Sequence, residues 1–223
     1  MEISEKGELL EETQKHPAWI RIPAVFLGYV LHPVLMVGWT TLYMLFVNEQ
    51  IFAGEKAAER IVIFLRLIST TTILPIVTVL LLRGLGFIST IRLKTQQERI
   101  IPLVACITFF FWSYYVARQL NDPPELRAFL LAMFICSSAA LMLNIYQKVS
   151  LHMQSIGVVV AFFVLLLFQD SMQEPILLSA SILLAGLSGS GRLITFSHKP
   201  AEVWTGFLTG FLIQLVAWWI VYS

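Results

Sequence analysis

Seven apolar runs joined by short polar connections govern what this chain can become. They cover residues 23–47, 61–82, 100–116, 128–146, 152–168, 175–187 and 203–222. Crossing a hydrocarbon layer of ~30 Å takes about 20 apolar residues in helical conformation, and most of these runs reach or approach that length. Lipid offers no water to backbone N–H and C=O groups, so helices must satisfy them internally. The expected fold is therefore all-α, a polytopic membrane helix bundle with about six to seven transmembrane helices. Composition argues against a soluble alternative. Of 223 residues, 57% are hydrophobic and 13% charged, more apolar surface than one soluble domain of this size can hide. The net charge of +1 gives no basis for a nucleic-acid partner, and none is expected.

Residues 1–17 form a polar, Glu-rich lead with no visible cleavable signal peptide. Residues 18–223 are expected to form one transmembrane domain without internal repeats. Trp19 suits an interfacial anchor. His32-Pro33 interrupts the first run, and His32 is read as a satisfied kink residue. Arg66, near a helix end, is expected to snorkel to the interface. The hydroxyls of Ser69, Thr70, Thr71 and Thr72 are expected to bond back to helix carbonyls beside Pro75. Cys106 and Cys136 fall inside apolar runs and read as small core residues rather than a disulfide. Glycines and small residues in the last two runs should permit close helix contacts.

Crossing parity sorts the connections. With seven spans, the connections at 83–99, 147–152 and 189–202 emerge on one face. The first holds Arg83, Arg92, Lys94 and Arg99 against the single acid Glu98; the second holds Ser150 and His152; the third holds Arg192, His198 and Glu202. The opposite face offers Lys56, Arg60, Arg118 and Arg127 but no histidine.

The third connection carries the most chemistry. An arginine offers a planar fork of donors suited to phosphate oxygens. An imidazole serves as nucleophile or proton carrier near neutral pH. Glu202, four residues after His198, is placed to hold that ring in one tautomer. The plainer reading is a basic membrane-surface loop with a helix-capping glutamate.

Arg192, five residues, His198, three residues, Glu202 resembles the third signature of the type 2 phosphatidic acid phosphatase and vanadium haloperoxidase-like superfamily. That signature reads Ser-Arg, five residues, His, three residues, Asp, so Gly191 stands at the Ser and Glu202 at the Asp. Val149-Ser150-Leu151-His152 resembles the second signature, Pro-Ser-Gly-His, with Pro and Gly absent. Arg92, six residues, Arg99 is similar to the first signature, Lys, six residues, Arg-Pro, with Lys94 as an alternative cation and Ile100 at the proline. The matches span roughly the C-terminal three-fifths of the chain.

The resemblance implies a membrane-embedded, metal-independent lipid phosphate or diphosphate phosphatase without a cofactor. His198 would be the nucleophile that becomes phosphohistidine, Glu202 its orienting group, and His152 the acid and then the base. Arg192, Arg99, Arg92 or Lys94, and Ser150 would bind the phosphate. Expected partners are the lipid phosphate and membrane lipids. The setting it implies is the bacterial inner membrane with the site on its outer side, whereas the positive-inside rule would turn the motif face to the cytoplasm. The departures at Gly191, Leu151, Glu202 and Ile100 keep a non-catalytic lipid-phosphate-binding or scaffold protein as the alternative, and a transporter stands further behind.

Overall fold

The computed structural model describes residues 17–223 except 49, 92, 94 and 170–173. Its helices are α1 (Ala18–Val30), α2 (Pro33–Leu42), α3 (Ala57–Ile68), α4 (Leu74–Gly84), α5 (Gln96–Gln119), α6 (Pro124–Leu143), α7 (Leu151–Leu167), α8 (Glu174–Ile194) and α9 (Pro200–Tyr222). Helix α3 continues through a π-helical turn, Ser69–Ile73, into α4, giving one span, Ala57–Gly84. Five helices among the described residues are long and apolar enough to cross a membrane. The pair α1–α2, bent by 62°, supplies a sixth if counted as one broken span. Helix α7 is the remaining apolar segment, with 17 residues, or roughly 25 Å at 1.5 Å per residue. The chain is an all-α polytopic bundle and an integral membrane protein.

Helix α7 is apolar around nearly its whole circumference, which suits a helix surrounded by protein. Met153, Gln154, Ser155, Ile156, Gly157 and Val158 are all buried in succession. Its closest neighbour is α9. A Cβ on Gly157 would lie 2.2 Å from the Phe207 carbonyl oxygen; one on Gly206, 2.5 Å from that of Ser150; and one on Gly210, 1.9 Å from that of Gln154. These glycines let two backbones touch, as small residues do where lipid offers no hydrophobic drive for helix association. The small residues of α9 thus serve α7 rather than α8, against which α9 packs little.

Local chemistry accounts for the bends. The hydroxyls of Ser69, Thr70 and Thr71 donate to the carbonyls of Leu65 (2.6 Å), Arg66 (3.2 Å) and Leu67 (2.8 Å) at the π turn before Pro75. Thr72 instead reaches across to the Val34 carbonyl at 3.2 Å. Arg66 does not snorkel: it forms an ion pair with Asp122 in the α5–α6 turn. Pairing a charge with a carboxylate at the bundle end satisfies it more completely than extending a side chain through lipid. Cys106 and Cys136 are free thiols within the bundle.

Hydrogen bonds draw the connections of one end together. Gln96 Nε2 donates to the Asn144 carbonyl (2.7 Å), and Asn144 Nδ2 donates back to that of Gln96 (2.8 Å). The Ser150 amide donates to the Glu202 carbonyl at 3.2 Å. At the opposite end Gln169 donates to the Tyr222 hydroxyl (2.9 Å), which donates to Glu125 (2.7 Å).

Candidate active site

The connection expected to run from Gly189 to Glu202 is shorter than that, because α8 continues to Ile194. Arg192 therefore lies on the last helical turn, where the partial negative charge of a helix end favours a cation. The helix then closes with Phe196 in the left-handed region (φ 49). The Ser197 amide donates to the Arg192 carbonyl (3.1 Å) and the Phe196 amide to that of Leu193 (3.0 Å). A bulky side chain in that conformation costs about 1–2 kcal/mol, and the turn delivers His198 to the entrance of α9.

Pro200 starts α9, and Glu202 occupies its first turn. The longer arm of Glu, compared with Asp, folds back. Its Oε2 accepts from the Lys199 amide (3.2 Å) and from His198 Nδ1 (2.9 Å). Capping and ring-holding are therefore two roles of one carboxylate oxygen. His198 Nδ1 also lies 3.2 Å from the Lys148 carbonyl oxygen. Both neighbours accept only, so Nδ1 carries the proton and the neutral ring leaves its lone pair on Nε2. Burial lowers the His198 pKa below the ordinary value; the Glu202 hydrogen bond opposes this, and Arg99 and Lys148 add to the lowering.

Arg99 reaches this pair from α5. It is buried, with Nε donating to the Leu93 carbonyl (3.2 Å) and Nη1 to that of Val149 (3.0 Å). Those anchors fix the guanidinium plane. Ser150, at the start of α7, is fully buried, yet its hydroxyl neither caps the helix nor finds a partner among the described residues. Arg192 Nε is likewise buried without a partner. Unpaired buried polar atoms are costly, and here they are donors suited to an anion. Leu151, which stands at the glycine of the second signature, packs into a small apolar cluster with Leu103, Ala140 and Val149. At Gly191 a Cβ would meet Ala24 of α1 at 3.6 Å, an ordinary contact. Ile100, at the signature proline, is half-exposed on α5.

His152 takes a different anchor. Its Nε2 lies 3.0 Å from the Gly28 carbonyl oxygen on α1, so Nε2 is the donor and the neutral ring keeps its lone pair on Nδ1. The His32 ring meets the His152 ring edge to face, with centroids 5.3 Å apart. Gly28 also adjoins Arg192: a Cβ there would lie 1.9 Å from Nη2. Sequence reasoning missed both Gly28 and His32. The available signal is the His32-Pro33 break itself, which in sequence reads as a kink with a satisfied histidine.

The structure thus brings His198, Glu202, Arg99, Ser150, His152 and Arg192 to one end of the bundle; Arg92 and Lys94 lie outside the described residues. Beside Glu202 a cleft of about 620 Å³ is lined by Thr95, Gln96, Gln147, Lys148 and Lys199, among others. It places ammonium and amide groups beside Glu202. The chain matches no protein-family model, no curated protein and no solved structure.

Proposed function

We propose that this protein is a membrane-embedded, metal-independent lipid phosphate or diphosphate phosphatase working at the membrane boundary of a bacterial inner membrane. The observation that carries the reading is the His198 ring, whose Nδ1–H is held by Glu202 and Lys148 so that Nε2 is the basic nitrogen. A nucleophilic imidazole needs that arrangement.

In the proposed reaction, the Nε2 lone pair of His198 attacks phosphorus. An N–P bond forms while the bond from phosphorus to the lipid oxygen breaks. His152, neutral with its Nε2–H engaged with Gly28, relays through Nδ1 to the leaving oxygen a proton that the substrate phosphate monoanion carries in. Water then attacks the phosphohistidine, His152 takes the water proton, the N–P bond breaks and phosphate leaves. Charge on the equatorial oxygens is met by the Arg99 and Arg192 guanidinium groups and the Ser150 hydroxyl. The acyl or prenyl tail remains in the bilayer.

The test is phosphate release by purified protein from a panel of lipid monophosphates and diphosphates, with His198→Ala alongside. Turnover by wild type and none by His198→Ala supports the reading. Orthovanadate binding without turnover on any substrate would favour the non-catalytic lipid-phosphate-binding protein.

A further inference from the structure

The break between α1 and α2 bears on a residue of the site far along the chain. In an unbroken helix the Gly28 carbonyl would accept from the His32 amide, and the Tyr29 carbonyl from the amide of residue 33. Residue 33 is proline and has no N–H. The His32 amide donates to the Tyr29 carbonyl instead, at 3.2 Å. That exchange releases the Gly28 carbonyl, which turns to His152 Nε2 at 3.0 Å. The next freed carbonyl, that of Val30, is taken by the Trp39 indole N–H at 3.2 Å. The same break sets the His32 ring edge to face against His152, 5.3 Å between centroids.

We propose that the His32–Pro33 break is a working part of the site: it frees the Gly28 carbonyl to fix the tautomer of His152, and His32 is a positioning residue that holds the His152 ring in that hydrogen bond. The inference rests on the proposed phosphatase reading for its consequence, and on hydrogen-bond geometry for its substance. His198 has a carboxylate as orienting group; His152 has a backbone carbonyl made available by a proline. An aromatic edge contact restrains ring rotation, which a carbonyl acceptor alone does less well. The fixed tautomer leaves Nδ1 as the nitrogen that exchanges protons with the substrate and water.

The experiment uses full-length protein in nanodiscs with ¹⁵N-labelled histidine, assigned through His152→Ala. Ring ¹⁵N shifts report which nitrogen of His152 carries the proton, independently of any turnover. Wild type should show the Nε2–H form alone. Pro33→Ala, which restores an amide and lets the helix reclaim the Gly28 carbonyl, should give a mixture of tautomers. His32→Ala should do the same, whereas His32→Phe, which keeps a ring edge, should preserve the single form. On a substrate the wild type turns over, kcat should fall roughly tenfold or more in His32→Ala with KM little changed, as for a misplaced proton-transfer group, and recover in His32→Phe. An unchanged His152 tautomer in both folded Pro33→Ala and His32→Ala overturns the proposal; should Pro33→Ala not fold, His32→Ala decides alone. Absence of turnover in wild type, with the tautomer pattern as expected, would fault the phosphatase reading and leave the positioning role standing.

Discussion

Glu202 Oε2 receives two hydrogen bonds, from the His198 ring at 2.9 Å and from the Lys199 amide at 3.2 Å. The His198 side chain is 6% exposed and the Glu202 side chain 17%, so solvent competes little for either partner. Replacing Glu202 by Gln keeps an oxygen for the amide but removes the charge that stabilises the ring when it carries positive charge. Phosphate release should fall by roughly one to four powers of ten, by analogy with triad carboxylates, while thermal stability stays near wild type. Wild-type turnover in Glu202→Gln would reduce the carboxylate to a helix cap.

The pH profile follows from the same ring. Burial lowers the His198 pKa from its ordinary value near 6.5, and a nucleophile must be neutral. The acid limb of kcat/KM should therefore have its midpoint below 6.5, not at or above it. Glu202 raises the pKa against the effect of burial, so Glu202→Gln should move that limb further to acid. Linkage has the matching sign. With the folded-state pKa depressed, the stability His198 contributes is present above pH 6.5 and lost as pH falls through the folded value.

Gly28 offers a way to move Arg192 without mutating it. A Cβ on Gly28 would lie 1.9 Å from Arg192 Nη2, the far end of a flexible side chain that can swing aside. In a helix, Ala is otherwise preferred to Gly by about 1 kcal/mol. Gly28→Ala should therefore leave the melting temperature unchanged or higher, yet weaken orthovanadate binding and lower turnover by roughly ten- to a hundredfold. A fully active Gly28→Ala protein would remove Arg192 from the phosphate site.

The α7–α9 contact predicts the opposite pattern. At Gly210 the obstructing atom is the backbone oxygen of Gln154, 1.9 Å from the added Cβ, and neither helix can yield locally. Gly210→Ala should destabilise the protein by about 1–3 kcal/mol, as overpacking does. It should also slow turnover, because the displaced α9 carries Glu202. Equal melting temperatures for Gly210→Ala and wild type in the same detergent would contradict the close approach.

The Arg66–Asp122 ion pair ties a helix to the α5–α6 turn and provides a control. Burial raises the Asp122 pKa, and Arg66 opposes the rise. Asp122→Ala strands the guanidinium and should cost about 2–3 kcal/mol, below the range for a fully buried pair because Arg66 keeps some exposure. Replacing both residues by Leu should recover most of the loss. The comparison is read from melting temperatures of the single and double variants.

Much of this architecture is legible in sequence because lipid simplifies the problem. Apolar run lengths place the spans within a few residues, and parity puts Arg99, Ser150, His152 and His198 at one end before any contact is known. Helix ends are less legible: Ser188 to Gly191 are weak helix formers that read as a break. Yet α8 continues through them to Arg192, with Gly189 beside Met153 of α7 and Gly191 beside Ala24 of α1, and stops at a left-handed Phe196. The Arg66–Asp122 pair was hidden because the partners are 56 residues apart in the chain. The Gly28 carbonyl was hidden for a different reason. A backbone acceptor has no residue signature, and its release depends on which amide the proline removes.

The most direct test of the account is to trap the covalent intermediate. Protein mixed with a ³²P-labelled lipid phosphate that it turns over should be quenched in alkali, under which a phosphohistidine persists, and the labelled peptide mapped. The account predicts label on His198 and none in His198→Ala; in His152→Ala the label should both appear and disappear more slowly, because neither the leaving oxygen nor the attacking water has its proton-transfer group. Label on another residue, or phosphate release at the wild-type rate by His198→Ala, would contradict it.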